Sequence, residues 1–67
     1  MELEQKTLRE WRESRGISQE FVAKALGVSN QTLRNKEFGI SDFGLTQVRL
    51  LMKLYNIEFD QIIPNHH

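Results

Sequence analysis

Apolar residues recur three or four positions apart along nearly the whole chain and nowhere alternate with period two, so the pattern predicts helices and no sheet. Five helical segments can be read. The first runs from about Thr7, or earlier, to Arg15, with Leu8 and Trp11 on one face and Gly16 as its stop. The second spans Gln19 to Leu26 after Ser18 as N-cap, with Phe21, Val22, Ala25 and Leu26 as its buried stripe. Gly27 then allows a turn with positive φ. The third spans Asn30 to about Phe38 after Ser29 as N-cap, and Gly39 ends it. The fourth spans Leu45 to Tyr55, with Val48, Leu51, Met52 and Tyr55 on one face and Leu50 and Leu54 beside it. The fifth is short, Phe59 to Ile63, and Pro64 closes it.

These starts share a device. A hydrophobic staple joins the residue before an N-cap to the residue five later. Ile17 and Val22 fit around Ser18, Val28 and Leu33 around Ser29, Phe43 and Val48 around Gly44, and Ile57 and Ile62 around Glu58. Gly44 and Glu58 are poorer caps than serine. Trp11, Tyr55 and Phe59 fall at helical spacing and are read as core aromatics, and Phe38 and Phe43 as packing residues.

The segment Gln19 to Lys36, QEFVAKALGVSNQTLRNK, carries the most information. Two short helices can cross at ~90–120° over a tight turn when small residues sit at the crossing. Ala23 is small where the helices would meet, Gly27 permits the turn, and Leu33 can plug the angle. The helix after Ser29 then has a polar face of Asn30, Gln31, Arg34 and Asn35. Asn and Gln amides can pair with adenine N6 and N7, and Arg can fork onto guanine O6 and N7. Gln31 is the leading candidate reader, followed by Asn30, Arg34 and Asn35, while Thr32 can touch a thymine methyl or a phosphate. Backbone N–H groups opening the two short helices, near Gln19 and Asn30, can donate to phosphate oxygens.

Composition narrows the alternatives. In 67 residues there is no cysteine, so neither a disulfide nor a thiolate–metal site can staple the fold, and stability is expected from capped helices and from dimer formation. No metal and no cofactor is expected. No apolar run approaches the ~20 residues that span a bilayer, and Met1 to Glu10 mixes acids and bases without a signal-peptide stretch; a cytoplasmic location and no membrane partner are expected. The two histidines, His66 and His67, sit in the tail, either native or left by a purification tag, and no function is assigned to them. With no other histidine, no nucleophile set, no metal cluster and no phosphate loop, neither an enzyme nor a small-molecule substrate is expected. Nine basic and nine acidic residues cancel, yet unevenly. Residues 22–56 hold Lys24, Arg34, Lys36, Arg49 and Lys53 against Glu37 and Asp42, whereas both ends are net acidic. Glu2, Glu4, Glu10, Glu13 and Glu20 are read as a solvated face that Arg9 and Arg15 pair with weakly.

The stretches LREWRESRGISQEFVAKALGVSNQTL, KEFG and LTQVRLLMKLYNIEFDQII together resemble the lambda-repressor-like family, the Cro or XRE-type helix-turn-helix domains, over about residues 7–63. The resemblance implies an all-α, five-helix DNA-binding domain with a central helix-turn-helix, here a single domain over residues 1–67 with a tail at 64–67. It implies that Gln19 holds a DNA phosphate and supports a neighbouring reader. It implies that Asn30, Gln31 and Asn35 contact bases, and that Thr32, Arg34 and Lys36 reach bases or backbone. It also implies an internal Arg12–Glu37 salt bridge. Two features depart from the family. Lys36 stands where an apolar or aromatic residue is common, and its stem can pack while the amine reaches outward. The loop Phe38 to Gly44 has no base and one acid, Asp42, where relatives carry Lys or Arg.

The function so implied is a sequence-specific transcriptional regulator, a repressor of phage or mobile-element type, that reads duplex DNA with helix 30–38. It would act as a homodimer through its fourth and fifth helices, where Leu50, Leu54, Phe59, Ile62 and Ile63 offer surplus apolar surface. Zero net charge and the base-free loop favour a second reading, a protein-interaction module that keeps the fold without binding DNA, such as an antirepressor or regulatory subunit.

Overall fold

Each helix begins where the sequence offers its backbone an alternative partner for the first free N–H groups. The computed structural model describes residues 3–64; Glu2 of the acidic face and the His66–His67 pair lie outside the described residues. α1 (Leu8–Ser14) is opened by Thr7, whose hydroxyl accepts from Glu10 N–H at 3.2 Å while Thr7 N–H donates to Glu10 Oε1 at 2.9 Å. This reciprocal box, the Thr7 backbone bond foremost, holds the Glu10 carboxyl below its ordinary value of 4.5. Its contribution is therefore present above that pH and is lost as pH falls through the lowered value. α2 (Gln19–Leu26) and α3 (Asn30–Glu37) are opened by Ser18 and Ser29, whose hydroxyls accept from the N–H groups of Phe21 and Thr32, each at 3.1 Å. α4 (Leu45–Tyr55) starts at Gly44, which has no side chain to cap with; Gln47 Oε1 accepts its N–H at 2.9 Å instead. Asn56, with φ 57°, ends α4 in the left-handed conformation that asparagine tolerates.

The expected fifth helix is a single 3-10 turn, Phe59–Gln61, so the described residues hold four α-helices and that turn, without a strand. Backbone competition explains the shortfall. An α-helix from Phe59 would need an N–H from Pro64 to reach Asp60 C=O, and proline has none; the Gln5 side-chain amide donates to that carbonyl instead, at 3.0 Å. Next along, Gln61 C=O accepts from Lys6 N–H at 3.0 Å, and Ile63 N–H donates to Lys6 C=O at 2.9 Å, one isolated parallel bridge that draws Ile62 into extended conformation.

Leu8, Trp11, Val22, Ala23, Leu33, Leu51, Tyr55 and Ile57 form the core, with Ile17, Leu26, Val28, Phe43, Val48, Met52, Leu54 and Ile62 packed around it. All four staple pairs supply residues to this cluster or its margin. Three expectations are corrected. Phe21, Ala25 and Phe59 are exposed, Phe21 by 56% and Phe59 by 61%. The buried stripe of α2 is rotated onto Val22 and Ala23, with Gln19 and Leu26 half-buried, a spacing as helical as the one expected. Among the described residues Arg15 does not pair with an acid: it donates to Tyr55 C=O at 2.7 Å and stacks on Trp11, whereas Arg9 meets Glu13 at 3.6 Å on the surface.

Among the described residues one carboxylate lies inside the fold. Glu37 is 2% exposed and accepts three hydrogen bonds: Arg12 Nε to Oε2 at 2.8 Å, Arg12 Nη2 to Oε1 at 3.3 Å, and Gln19 Nε2 to Oε1 at 3.1 Å. Arg12 Nη1 also donates to Ile17 C=O at 2.9 Å. α1, the α1–α2 turn, α2 and α3 thus converge on one ion pair. Beside it the buried Tyr55 hydroxyl has no hydrogen-bond partner among the described residues, and burial, then the Glu37 charge, pushes its ionisation well above the usual tyrosine range.

Removing one partner of a buried ion pair leaves an uncompensated charge, so Glu37→Ala is expected to lower unfolding free energy by about 3–5 kcal/mol in urea titration. A loss under 1 kcal/mol would contradict that role. Tyr55→Phe removes an unpaired buried hydroxyl and keeps the ring, so it is expected to be neutral or to stabilise by up to about 1 kcal/mol.

Candidate nucleic-acid interface

α2 and α3 form the closest-packed helix pair, and the sequence between them determines how they meet. Ala23 is 2% exposed and Leu33 fully buried, so a methyl group and a plug fill the angle between the axes. Gly27 closes α2 at φ 73°, and its N–H donates to Lys24 C=O at 3.1 Å. Val28 N–H then donates to Ala23 C=O at 3.0 Å. The turn leaves Val28 packed against the core and places Ser29 to cap α3.

α3 is two-faced. Leu33 and Glu37, one turn apart, are buried, and Thr32 and Lys36 are half-buried beside them. Gln31 and Arg34 are exposed and, with half-buried Asn35, lie away from that pair around the helix, while Asn30 is exposed at the first position of the helix. The helix is therefore clamped by an apolar plug and a buried carboxylate, with its amides and guanidinium directed to solvent. Among the described residues neither the Asn30 amide nor the Arg34 guanidinium has an intramolecular hydrogen bond, whereas Gln31 Nε2 donates to Asn35 Oδ1 at 3.0 Å.

The remaining expected residues sit at the edges of this face, with polar atoms already engaged inside the chain. Gln19, half-buried, gives its side-chain N–H to Glu37. Thr32 Oγ1 accepts from the Ser29 hydroxyl at 2.9 Å. Lys36 lines an open cleft of about 380 Å³ together with Leu8, Phe43 and Val48, and its amine donates to Asp42 C=O at 2.8 Å. The amine, expected to reach outward, instead braces the α3–α4 loop. The loop is further tied to α3 by Ile40 N–H and Ser41 N–H, which donate to Asn35 C=O at 2.9 and 3.3 Å. Phe43 packs against the core; Phe38 is 40% exposed and lies under the Arg9 guanidinium, 5.1 Å from its centroid.

Sequence reasoning did not find the amide link from Gln19 to Glu37 or the one from Gln31 to Asn35. The second has a visible signal, two amides four residues apart on one helix, a spacing at which side chains meet. The first joins residues of different helices and carries no local signal. Lys24, Arg49 and Lys53 are exposed, and so contribute to the basic middle of the chain at its surface. No described helix is long and apolar enough to cross a membrane, and no cluster of three metal-ligating side chains occurs among the described residues.

A family model described as helix-turn-helix matches residues 8–62, most of the chain. No curated protein and no solved structure gave a match.

Gly27 holds a positive φ, and a Cβ there would meet nothing within 4 Å, so the only cost of a side chain is backbone strain. Gly27→Ala is therefore expected to lower stability by about 1–2 kcal/mol, and Gly27→Asn by less, because asparagine tolerates that region. Thermal melts of the three proteins measure this; equal melting temperatures for glycine and alanine would contradict it.

Proposed function

The chain belongs to the Cro/XRE-type helix-turn-helix family of DNA-binding transcription regulators, and we propose that it is a sequence-specific repressor of phage or mobile-element type that reads the major groove with α3. The observation that carries the reading is the two-faced α3, eight residues long, clamped beneath by Leu33 and Glu37, bearing Gln31, Arg34 and Asn35 on its outer side and exposed Asn30 at its first position. The major groove admits one α-helix, with residues near its N-terminus closest to the bases. Asn30 and Gln31 occupy that end, suited to adenine, and Arg34 follows, suited to guanine. Gln19, Thr32 and Lys36 flank the face and position the helix on the phosphate backbone; the amide of Gln19 keeps a second hydrogen, and the ammonium of Lys36 two more, beyond the bonds they make inside the chain. Free N–H groups at the starts of α2 and α3 complete the backbone contacts.

The chain would act as a homodimer in the cytoplasm. Leu50, Phe59 and Ile63 are exposed apolar side chains, and half-buried Leu54 and Ile62 adjoin them in sequence on α4 and after the 3-10 turn. Exposed Phe21 extends this surface, lining with Ile17 and Leu54 a shallow groove of about 410 Å³. Two copies joined there would address half-sites about one helical turn apart, ~34–36 Å.

A second reading, an interaction module that keeps the fold without binding DNA, is favoured by zero net charge and by a loop whose nearest cation, Lys36, is engaged with Asp42. Salt separates the two. Binding to a duplex selected from a random pool is expected to weaken steeply as salt rises, because each neutralised phosphate releases counterions; absence of retention at low salt would support the module. Arg34→Ala is expected to cost about 1–3 kcal/mol on that duplex and relax preference at one base pair. Gln31→Ala is expected to relax preference at another; unchanged preference in both variants would remove α3 as the reader.

A further inference from the structure

A long amide side chain on a helix surface ordinarily samples many rotamers, and with each rotamer its donor and acceptor trade places. Gln31 is exposed but does not have that freedom, because its Nε2 donates to Asn35 Oδ1 at 3.0 Å. Asn35 is the less exposed member of the pair: it is half-buried, its shorter side chain has fewer rotamers than that of Gln31, and its backbone carbonyl accepts from Ile40 N–H and Ser41 N–H, which ties its main chain to the α3–α4 loop. The bond therefore sets the polarity of the Gln31 amide: nitrogen toward Asn35, oxygen away.

We propose that Asn35 is a positioning residue for Gln31, holding its amide so that α3 presents one fixed donor–acceptor fork selective for adenine. The inference rests on the reading that α3 enters the major groove. An amide nitrogen carries two hydrogens. One is spent on Asn35; the other, beside Oε1, remains to donate to adenine N7 while Oε1 accepts from N6–H. Reversing the amide places acceptor against acceptor and donor against donor, so a held orientation rejects the other bases more strongly than a free one. Holding it in the unbound protein also removes the ordering cost from the binding step. Asn35 in this role contributes to recognition without itself being required to touch a base.

The test uses the full chain and a set of duplexes in which each base pair of a selected operator is replaced in turn. Gln31→Ala is expected to flatten preference at one A·T pair. Asn35→Ala is expected to flatten preference at that same pair by about tenfold, within the range for loss of a bidentate contact, and the double variant to lose no more there than Gln31→Ala. Asn35→Asp keeps the acceptor for Gln31, so it is expected to retain the preference at that pair while its charge weakens binding to all duplexes alike. The proposal is overturned if Asn35→Ala changes preference at a different pair, if its effect adds to that of Gln31→Ala, or if Asn35→Asp loses the preference as alanine does. If Gln31→Ala alters no preference at all, Gln31 is not a reader and this proposal is overturned; the groove-reading role of α3 falls as well only if Arg34→Ala also leaves preference unchanged. Urea midpoints of the variants within the range of the parent exclude a folding defect as the source of a changed preference.

Discussion

The buried Arg12–Glu37 pair is the constraint from which the rest of the arrangement follows. A carboxylate that is 2% exposed has lost its hydration and is tolerable only with its oxygens satisfied. Arg12 supplies two of the bonds and Gln19 the third, while a further Arg12 N–H holds the Ile17 carbonyl just before α2. Together the bonds tie α1, the turn before α2, α2 and α3 to one point. Moving any of α1, α2 or α3 would strand a charge, so the pair fixes their relative placement more sharply than apolar contacts alone, which slide at little cost. An apolar substitute of similar volume could match its contribution to stability; what the pair adds is a single permitted register.

That constraint matters because α3 could not stand alone. Helices shorter than about 12 residues are marginal in water, and α3 has eight, with only Leu33 as a buried apolar side chain. It persists because Ser29 caps its start, Leu33 plugs the crossing against Ala23, Glu37 anchors its last turn, and the following loop closes on Asn35. A rigid short helix with one polar face is the device that groove recognition needs, since a frayed one would have to order itself at the moment of binding.

Most of this could be anticipated from residue order. The serine caps, the Ala23–Gly27–Leu33 spacing and the four staples are local signals, and they placed α2, α3 and α4 at or within a residue of their observed limits. The failures were non-local. In α2 the choice between stripes containing Phe21 and Ala25 or Gln19 and Ala23 is degenerate by periodicity, and was decided by the crossing with α3 and by the distant Glu37 carboxylate. The final helix was lost to an N-terminal segment that took over its carbonyls, a competition between Lys6 and Gln61 that no window of sequence contains. Of the candidate interface, the identity of the outward residues was legible in α3, and the Gln31–Asn35 link had a local signal in its four-residue spacing, whereas the internal engagement of Gln19 and Lys36 was visible only once the chain was folded.

The outer face of α3, held by the buried pair, is the surface proposed to meet duplex DNA. The most direct test is an NMR titration of isotope-labelled protein with a selected duplex, following backbone and side-chain amides together. The largest shifts are expected at Asn30, Gln31, Arg34 and Asn35, smaller ones at the start of α2, and little change around Phe59 and Ile63 beyond that of dimer formation. Shifts concentrated on α4 or the 3-10 turn, with the Gln31 and Asn35 amides unmoved, would contradict it.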